Sequence, residues 1–292
     1  MTEDTCCLPS DIAETWDKEI VRIRHRFAES PLFSDAALAE LVAKNPDAVR
    51  EIATMDTGRE DAREWRDSGL SAADPARLFD AVASGALWVN IGHVGARDPR
   101  YQALLDDLMG AVEAAVPGFS CFNRQLGILI SSPNARVYYH ADVPGQGLLH
   151  IRGEKRIWLY PGAEPFLKPE ELERIITTAA GEEIAYDPSF DEAATVIDLT
   201  PGDGLFWPLN WPHRVVNGNS LNVSATVEYH TRTSRRHFAV NYANGVMRQV
   251  FGMTPKSRAI DGPAFWTKAA LSYAWRKGRI GERLQSTTDR SR

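Results

Sequence analysis

The sequence predicts a mainly β core with α additions: a double-stranded β-helix of the jelly-roll kind, flanked by N- and C-terminal helices. Three observations carry that prediction. Eight short β-rich runs separated by turn residues lie between Arg124 and Tyr229, a density that suits two packed antiparallel sheets. The segments on either side place apolar residues at helical spacing instead. One helical stretch, Pro169 to Thr177, interrupts the strand region without ending it.

Taken in order, the first third reads mainly as helix. Asp11 to Phe27 carries Ile12, Trp16, Ile20, Ile23 and Phe27 at helical intervals, with Pro9 and Ser10 as start signals. Ser34 caps a second helix, Asp35 to Val42, whose Leu38, Leu41 and Val42 share a face. Pro75 opens a third, through Leu78, Phe79 and Val82, that ends at Gly85. These stripes read as core packing. Ala86 to Ile91 is a β-rich run, and an amphipathic helix from about Pro99 to Val116 stops at Pro117-Gly118. The strand region follows, with runs Arg124 to Ile130, Arg136 to His140, Gly147 to Ile151, Arg156 to Leu159, Thr195 to Leu199, Gly204 to Trp207, His213 to Val216 and Leu221 to Tyr229. Phe238 to Phe251 and Pro263 to Lys277 read as helices, and the polar tail GERLQSTTDRSR is expected to be disordered. No internal repeat is visible. The chain thus divides into a mainly helical part, 1–120, with one strand joining the barrel; a core, 121–231; and C-terminal helices with the tail, 232–292.

Composition narrows the function. With 33 basic and 39 acidic side chains the formal charge is −6, which argues against general nucleic-acid binding while leaving room for a local basic patch. The three cysteines, Cys6, Cys7 and Cys121, form no disulfide framework, so a reducing compartment is the simpler reading. The N-terminus lacks an apolar signal core, and no run approaches a membrane span. The expectation is a cytoplasmic protein with no membrane partner.

Two segments carry chemistry. In Tyr138-Tyr-His-Ala-Asp142, His140 and Asp142 stand two apart, so a strand or its end directs both to one side. In Pro201-Gly-Asp-Gly-Leu-Phe-Trp-Pro-Leu-Asn-Trp-Pro-His213, a turn and a strand pair return His213 across the barrel. Two histidines and one carboxylate make a facial triad, which leaves half an octahedral metal open for a cosubstrate and O2. Four protein ligands would indicate structural zinc instead. A lone His-x-Asp arises easily by chance, and a surface histidine beside a solvated aspartate is its ordinary meaning. The second segment raises its weight.

YHADVPGQGLLHIRGEKRIWLYP, residues 139–161, resembles the core of the JmjC and cupin-8 oxygenases: His-x-Asp, a strand, a Gly-x-Lys turn and an aromatic strand ending in proline. PGDGLFWPLNWPHRVVN resembles that family's second signature, and close matches run from Tyr139 to Thr231. The resemblance implies Fe(II) held by His140, Asp142 and His213, with 2-oxoglutarate as cosubstrate. It places Lys155 of Gly153-Glu-Lys155 on the far carboxylate and Gln146 near the cosubstrate. A polar group of the last core strand joins them, Ser224 or Thr226, of which Thr226 is carried forward because the register is open. A surface lysine at a hairpin is the alternative for Lys155, and Arg152 and Arg156 are expected outside. His150 is set aside as a packed strand histidine with a hydrogen bond, and His230 and His237 as structural or surface residues. Trp207 and Trp211 read as core, and Ser234-Arg-Arg236 as a solvated loop. The implied activity is hydroxylation of a C–H bond in a protein, peptide or small molecule, with release of succinate and CO2. The rivals are a non-catalytic cupin that binds a ligand or regulates, another cupin metalloenzyme, and an N-methyl-lysine demethylase. The resemblance also allows a homodimer through the C-terminal helices.

Overall fold

Alternation of buried and exposed side chains sets the strands that carry the site. In Lys155–Leu159 the residues Lys155, Ile157 and Leu159 are buried and Arg156 is exposed, the period of two that a half-buried strand requires. The computed structural model describes residues 5–54, 66–67, 80–82, 87–178 and 181–278. Within them the strands are β1 (Cys6–Cys7), β2 (Val21–His25), β3 (Val49–Thr54), β4 (Arg66–Asp67), β5 (Leu87–Ile91), β6 (Phe122–Ser131), β7 (Arg136–His140), β8 (Gly145–Arg152), β9 (Lys155–Leu159), β10 (Thr195–Leu199), β11 (Asp203–Trp207), β12 (His213–Asn217) and β13 (Asn222–His230).

The strands form two antiparallel sheets. The larger has the order β1-β2-β11-β8-β13-β6-β5-β3-β4, and the smaller β10-β9-β12-β7. The eight strands from β6 to β13 are thus shared equally between the sheets, the arrangement of a double-stranded β-helix. Leu148, Leu205 and Trp207 of the larger sheet meet Ile157, Leu159, Leu199 and Val215 of the smaller in one apolar cluster. A second cluster joins the N-terminal segments, the helix Asp35–Lys44 and the helix Pro99–Ala115 to the larger sheet through Leu38, Leu105, Met109, Ile128 and Val227. A third gathers Tyr139, Tyr160, Leu172 and Ile176 around the helix Pro169–Thr178.

Several readings are corrected. The helix expected over Asp11 to Phe27 covers only Ile12–Thr15; Asp17 then turns at φ 61°, and Val21–His25 is strand β2. Val-Arg-Ile-Arg-His alternates strictly, with Val21, Ile23 and His25 buried. Across β11, Asp203 accepts hydrogen bonds from Arg22 (3.1 Å) and Arg24 (2.7 Å), which secures β2 in the sheet. The C-terminal helix begins earlier than expected, at Arg232, because Thr231 and Ser234 close a capping box. Ser234-Arg-Arg236 therefore lies in its first turn and not in a loop. The N-terminal part supplies β1 and β2 at one edge of the large sheet and β3, β4 and β5 at the other, where one strand was expected. Most of the helix read from Pro75 to Gly85 lies outside the described residues, of which 80–82 are helical; the tail lies outside them entirely.

Candidate active site

The site grows from one pairing. Strands β7 and β12 run antiparallel with His140 opposite His213, so their imidazoles face each other with ring centroids 4.1 Å apart. Asp142 lies just past the end of β7, where Asn210 donates to its backbone carbonyl at 2.6 Å. Its carboxylate oxygens stand 3.9 Å from His140 Nε2 and 3.4 Å from His213 Nε2. One ligand atom from each residue falls within 4.8 Å of the others, which suits a single ion held by two nitrogens and one oxygen.

Backbone carbonyls orient both rings. His140 Nδ1 donates to the carbonyl of Tyr138 at 2.8 Å, and His213 Nδ1 to that of Trp211 at 3.3 Å. A carbonyl can only accept, so the proton sits on Nδ1 and the Nε2 lone pair faces the center, as a metal ligand requires. Burial, with His140 as a smaller contribution, lowers His213 to about 4, so its ring is neutral at pH 7. The Trp207 ring lies 4.7 Å from that of His213 and walls one side.

The triad opens into a cavity of about 280 Å³ between the sheets. Lys155, Gln146 and Thr226 all line it, so the three residues expected at the cosubstrate share one space with His140, Asp142 and His213, which could hold a metal ion. Gly153 starts β9 at φ +83°, and a Cβ there would stand 2.7 Å from the Leu221 carbonyl oxygen; the turn that aims Lys155 inward needs glycine. Lys155 is only 6% exposed. Its Nζ donates to Ser224 Oγ at 2.8 Å, and it has no carboxylate partner among the described residues. Burial pushes its ammonium down to about 7. Gln146 Oε1 is buried without a protein partner, so its bonding capacity is directed at whatever fills the cavity.

Arg156 points outward to Asp198 at 2.6 Å, and Arg152 reaches Asp35 and the Phe33 carbonyl. His150 is fully buried, and both of its nitrogens are bonded within the protein. Ser224 and Thr226 share a face of β13; Thr226 borders the cavity, while Ser224 holds the lysine. Asn217 was missed. It lines the cavity while donating to Ser131 Oγ at 2.7 Å, and counting by twos from His213 along its strand reaches it. Glu182 and Glu228 also border the cavity. Glu182 belongs to a segment that pairs with the end of β7 through Ala141 and Tyr139, a contact between segments more than 40 residues apart in sequence that local pattern cannot reveal.

Comparison with known proteins adds three findings. The profile of a family described as a cupin-like domain matches residues 38–242. Curated proteins give no match. Among solved structures, the chain resembles YcfD of Escherichia coli with a TM-score of 0.53 at 17% identity, over 92% of this chain and 68% of that one. A structure of that protein, described as a ribosomal oxygenase in complex with cobalt and 2-oxoglutarate, gives 0.53 at 18%, over 91% and 65%. A third, with cobalt and succinic acid, gives 0.51 at 16%, over 91% and 65%. The chain spans about two thirds of the length of these structures, and at such identities the likeness is one of fold. Among the described residues no helix is long and apolar enough to cross a membrane.

Proposed function

The chain belongs to the cupin-like domain family, and on that premise we propose that it is an Fe(II)- and 2-oxoglutarate-dependent oxygenase that hydroxylates a side chain of a protein or peptide. The observation that carries this reading is Lys155. A buried ammonium bonded to a single hydroxyl is costly unless an anion joins it, and it borders the same cavity as His140, Asp142 and His213. A dicarboxylate answers both ends, with one carboxylate for the lysine and a keto acid for the metal. YcfD, described as a ribosomal oxygenase with cobalt and 2-oxoglutarate bound, supports the cosubstrate and a macromolecular substrate.

Bound iron with 2-oxoglutarate supplies the oxidising chemistry: O2 and the keto acid are consumed, and succinate, CO2 and a hydroxylated C–H bond result. The protein's own part is arrangement. His140, Asp142 and His213 would hold the metal, with both imidazoles fixed in the Nε2-presenting form by the carbonyls of Tyr138 and Trp211. Lys155 would take the far carboxylate, and Gln146 and Thr226 would bond to the cosubstrate beside it. Trp207, Leu148 and Val215 give the cavity an apolar wall. The cavity, of about 280 Å³ and bordered also by Glu182 and Glu228, would receive the cosubstrate and the substrate side chain.

The test is succinate release from 2-oxoglutarate with Fe(II) and ascorbate, with candidate substrate pools added. Wild type is expected to release succinate, and His140→Ala and Asp142→Ala to fall to background while remaining folded, since the ion performs the chemistry and the core is not built on it. A folded, iron-loaded wild type that stays silent with every pool would favour a non-catalytic cupin. The exposed Phe251, Met253, Trp266 and Tyr273 on and between the C-terminal helices support a homodimer through that face.

A further inference from the structure

Behind the lysine lies a buried chain of polar groups that the reaction does not obviously need. Lys155 Nζ is 2.8 Å from Ser224 Oγ. Ser224 Oγ is 3.1 Å from His150 Nδ1. His150 Nε2 is 2.9 Å from the carbonyl oxygen of Gly153. Ser224 and His150 are both fully buried, and they are opposite neighbours on β13 and β8.

The direction of every bond in this chain is fixed by its last member. The Gly153 carbonyl can only accept, so His150 must carry its proton on Nε2. Burial, reinforced by the nearby Lys155 charge, lowers His150 to about 3, so the ring is neutral and Nδ1 is a bare acceptor. Ser224 therefore donates its single hydroxyl proton to Nδ1. Its oxygen is left with lone pairs alone, and these accept from the ammonium. Were Nδ1 protonated instead, the serine proton would be free to swing toward Lys155 or toward an incoming carboxylate, and Nε2 would face a carbonyl lone pair to lone pair.

We propose that His150 is a positioning residue for cosubstrate binding: through Ser224 it fixes one N–H of Lys155, so that the remaining two point into the cavity. This rests on the reading of the cavity as a 2-oxoglutarate site. The loop also closes on itself in sequence, because Gly153 both accepts from His150 and forms the turn that starts β9. The lysine is thus aimed by the backbone on one side and by the imidazole on the other. His150 itself is not among the residues that line the cavity.

Calorimetric titration of 2-oxoglutarate into the Co(II)-loaded full chain under nitrogen tests it. His150→Gln keeps a donor near Nε2 but lacks the acceptor near Nδ1, and Ser224→Ala removes the hydroxyl. Each is expected to weaken 2-oxoglutarate about tenfold, the size of one lost charge-assisted hydrogen bond, with cobalt stoichiometry unchanged. The double variant should bind no more weakly than Ser224→Ala alone, because the two act in one chain. His150→Asn, with an acceptor close to the Nδ1 position, should recover most of the affinity. In turnover the loss should appear in KM for 2-oxoglutarate at nearly constant kcat. Nitrogen-15 NMR of the wild-type imidazole, which needs neither variant nor metal, should show the Nε2–H tautomer. Additive losses in the double variant, unchanged affinity in His150→Gln, or an Nδ1–H tautomer would each overturn the relay while leaving the cavity reading intact. A folded, cobalt-loaded wild type that binds no 2-oxoglutarate would overturn that reading and the relay with it.

Discussion

Lys155 shows how much one residue can say about a site. A lysine two residues after a turn glycine is an ordinary hairpin feature, and only its burial turns it into a demand for a partner. Its ammonium is lowered to about 7 by burial, below its ordinary value in an unfolded chain. Below pH 7 both folded and unfolded chains carry the charge, and the folded one bears the full burial cost. Between pH 7 and the unfolded value the folded lysine loses its proton first, so its contribution makes the ligand-free protein more stable as pH rises. Binding of a carboxylate reverses the preference and restores the charge. Two-buffer calorimetry is therefore expected to show proton uptake on 2-oxoglutarate binding at pH 8 and little at pH 6. Lys155→Met should raise the stability of the ligand-free protein by about 1–4 kcal/mol, the range seen when buried charges become apolar, and should abolish 2-oxoglutarate binding. Chemical denaturation at pH 7 checks the first and calorimetry the second.

At the scale of elements, the sequence was legible wherever local pattern and pairing agree. The runs for β7 and β10 end where the strands end, and the others fall within two residues. Reading failed where a short segment fits two periods. Ile20, Ile23 and Phe27 satisfy a helix, yet Val21, Ile23 and His25 satisfy a strand, and the sheet edge of β11 decides between them. The facing of the last core strand was open for a physical reason: a register shift between Val223 and Ser224 breaks the count by twos on which such assignments depend. His-x-Asp, the second histidine and the Gly-x-Lys turn, which the structure brings to one cavity, stand out because each needs only local sequence; Glu182 and the partners of His150 depend on pairings across the barrel. The turn itself is testable. Gly153→Ala forces a Cβ to 2.7 Å from the Leu221 carbonyl at a left-handed backbone, and should destabilise the fold by about 1–3 kcal/mol. Since the same turn aims Lys155, 2-oxoglutarate binding should weaken as well, which thermal melts with and without the ligand would reveal as a smaller stabilisation.

For the whole molecule, the two halves of the chain have different surfaces. The barrel buries its large apolar residues, apart from Phe122 and Val196, whereas Trp266 and Tyr273 are 64% and 61% exposed on the last helix. That helix, Gly262–Lys277, packs on Arg232–Phe251, which in turn packs on Pro169–Thr178. Glu173, buried completely, ties the layer together by accepting from Arg248 and Arg258, each at 2.8 Å. A firmly anchored layer that presents apolar side chains outward suits subunit contact. Sedimentation of the wild type is expected to give a dimer, and Trp266→Glu with Tyr273→Glu a folded monomer; a monomeric wild type at micromolar concentration would remove the dimer proposal.

The pairing of His140 with His213 across β7 and β12 has a bearing on how the protein is handled. The two rings come from separate strands, and a slip of one residue in their register would turn one imidazole away from the other. An ion held at this position would therefore act as a clasp that only the correctly aligned pair of strands can close. Metal content would then be a gauge of folding quality: in a preparation made from refolded or overproduced material, chains misaligned at this one ladder would collect in the fraction that binds no metal, however native their overall helix and strand content.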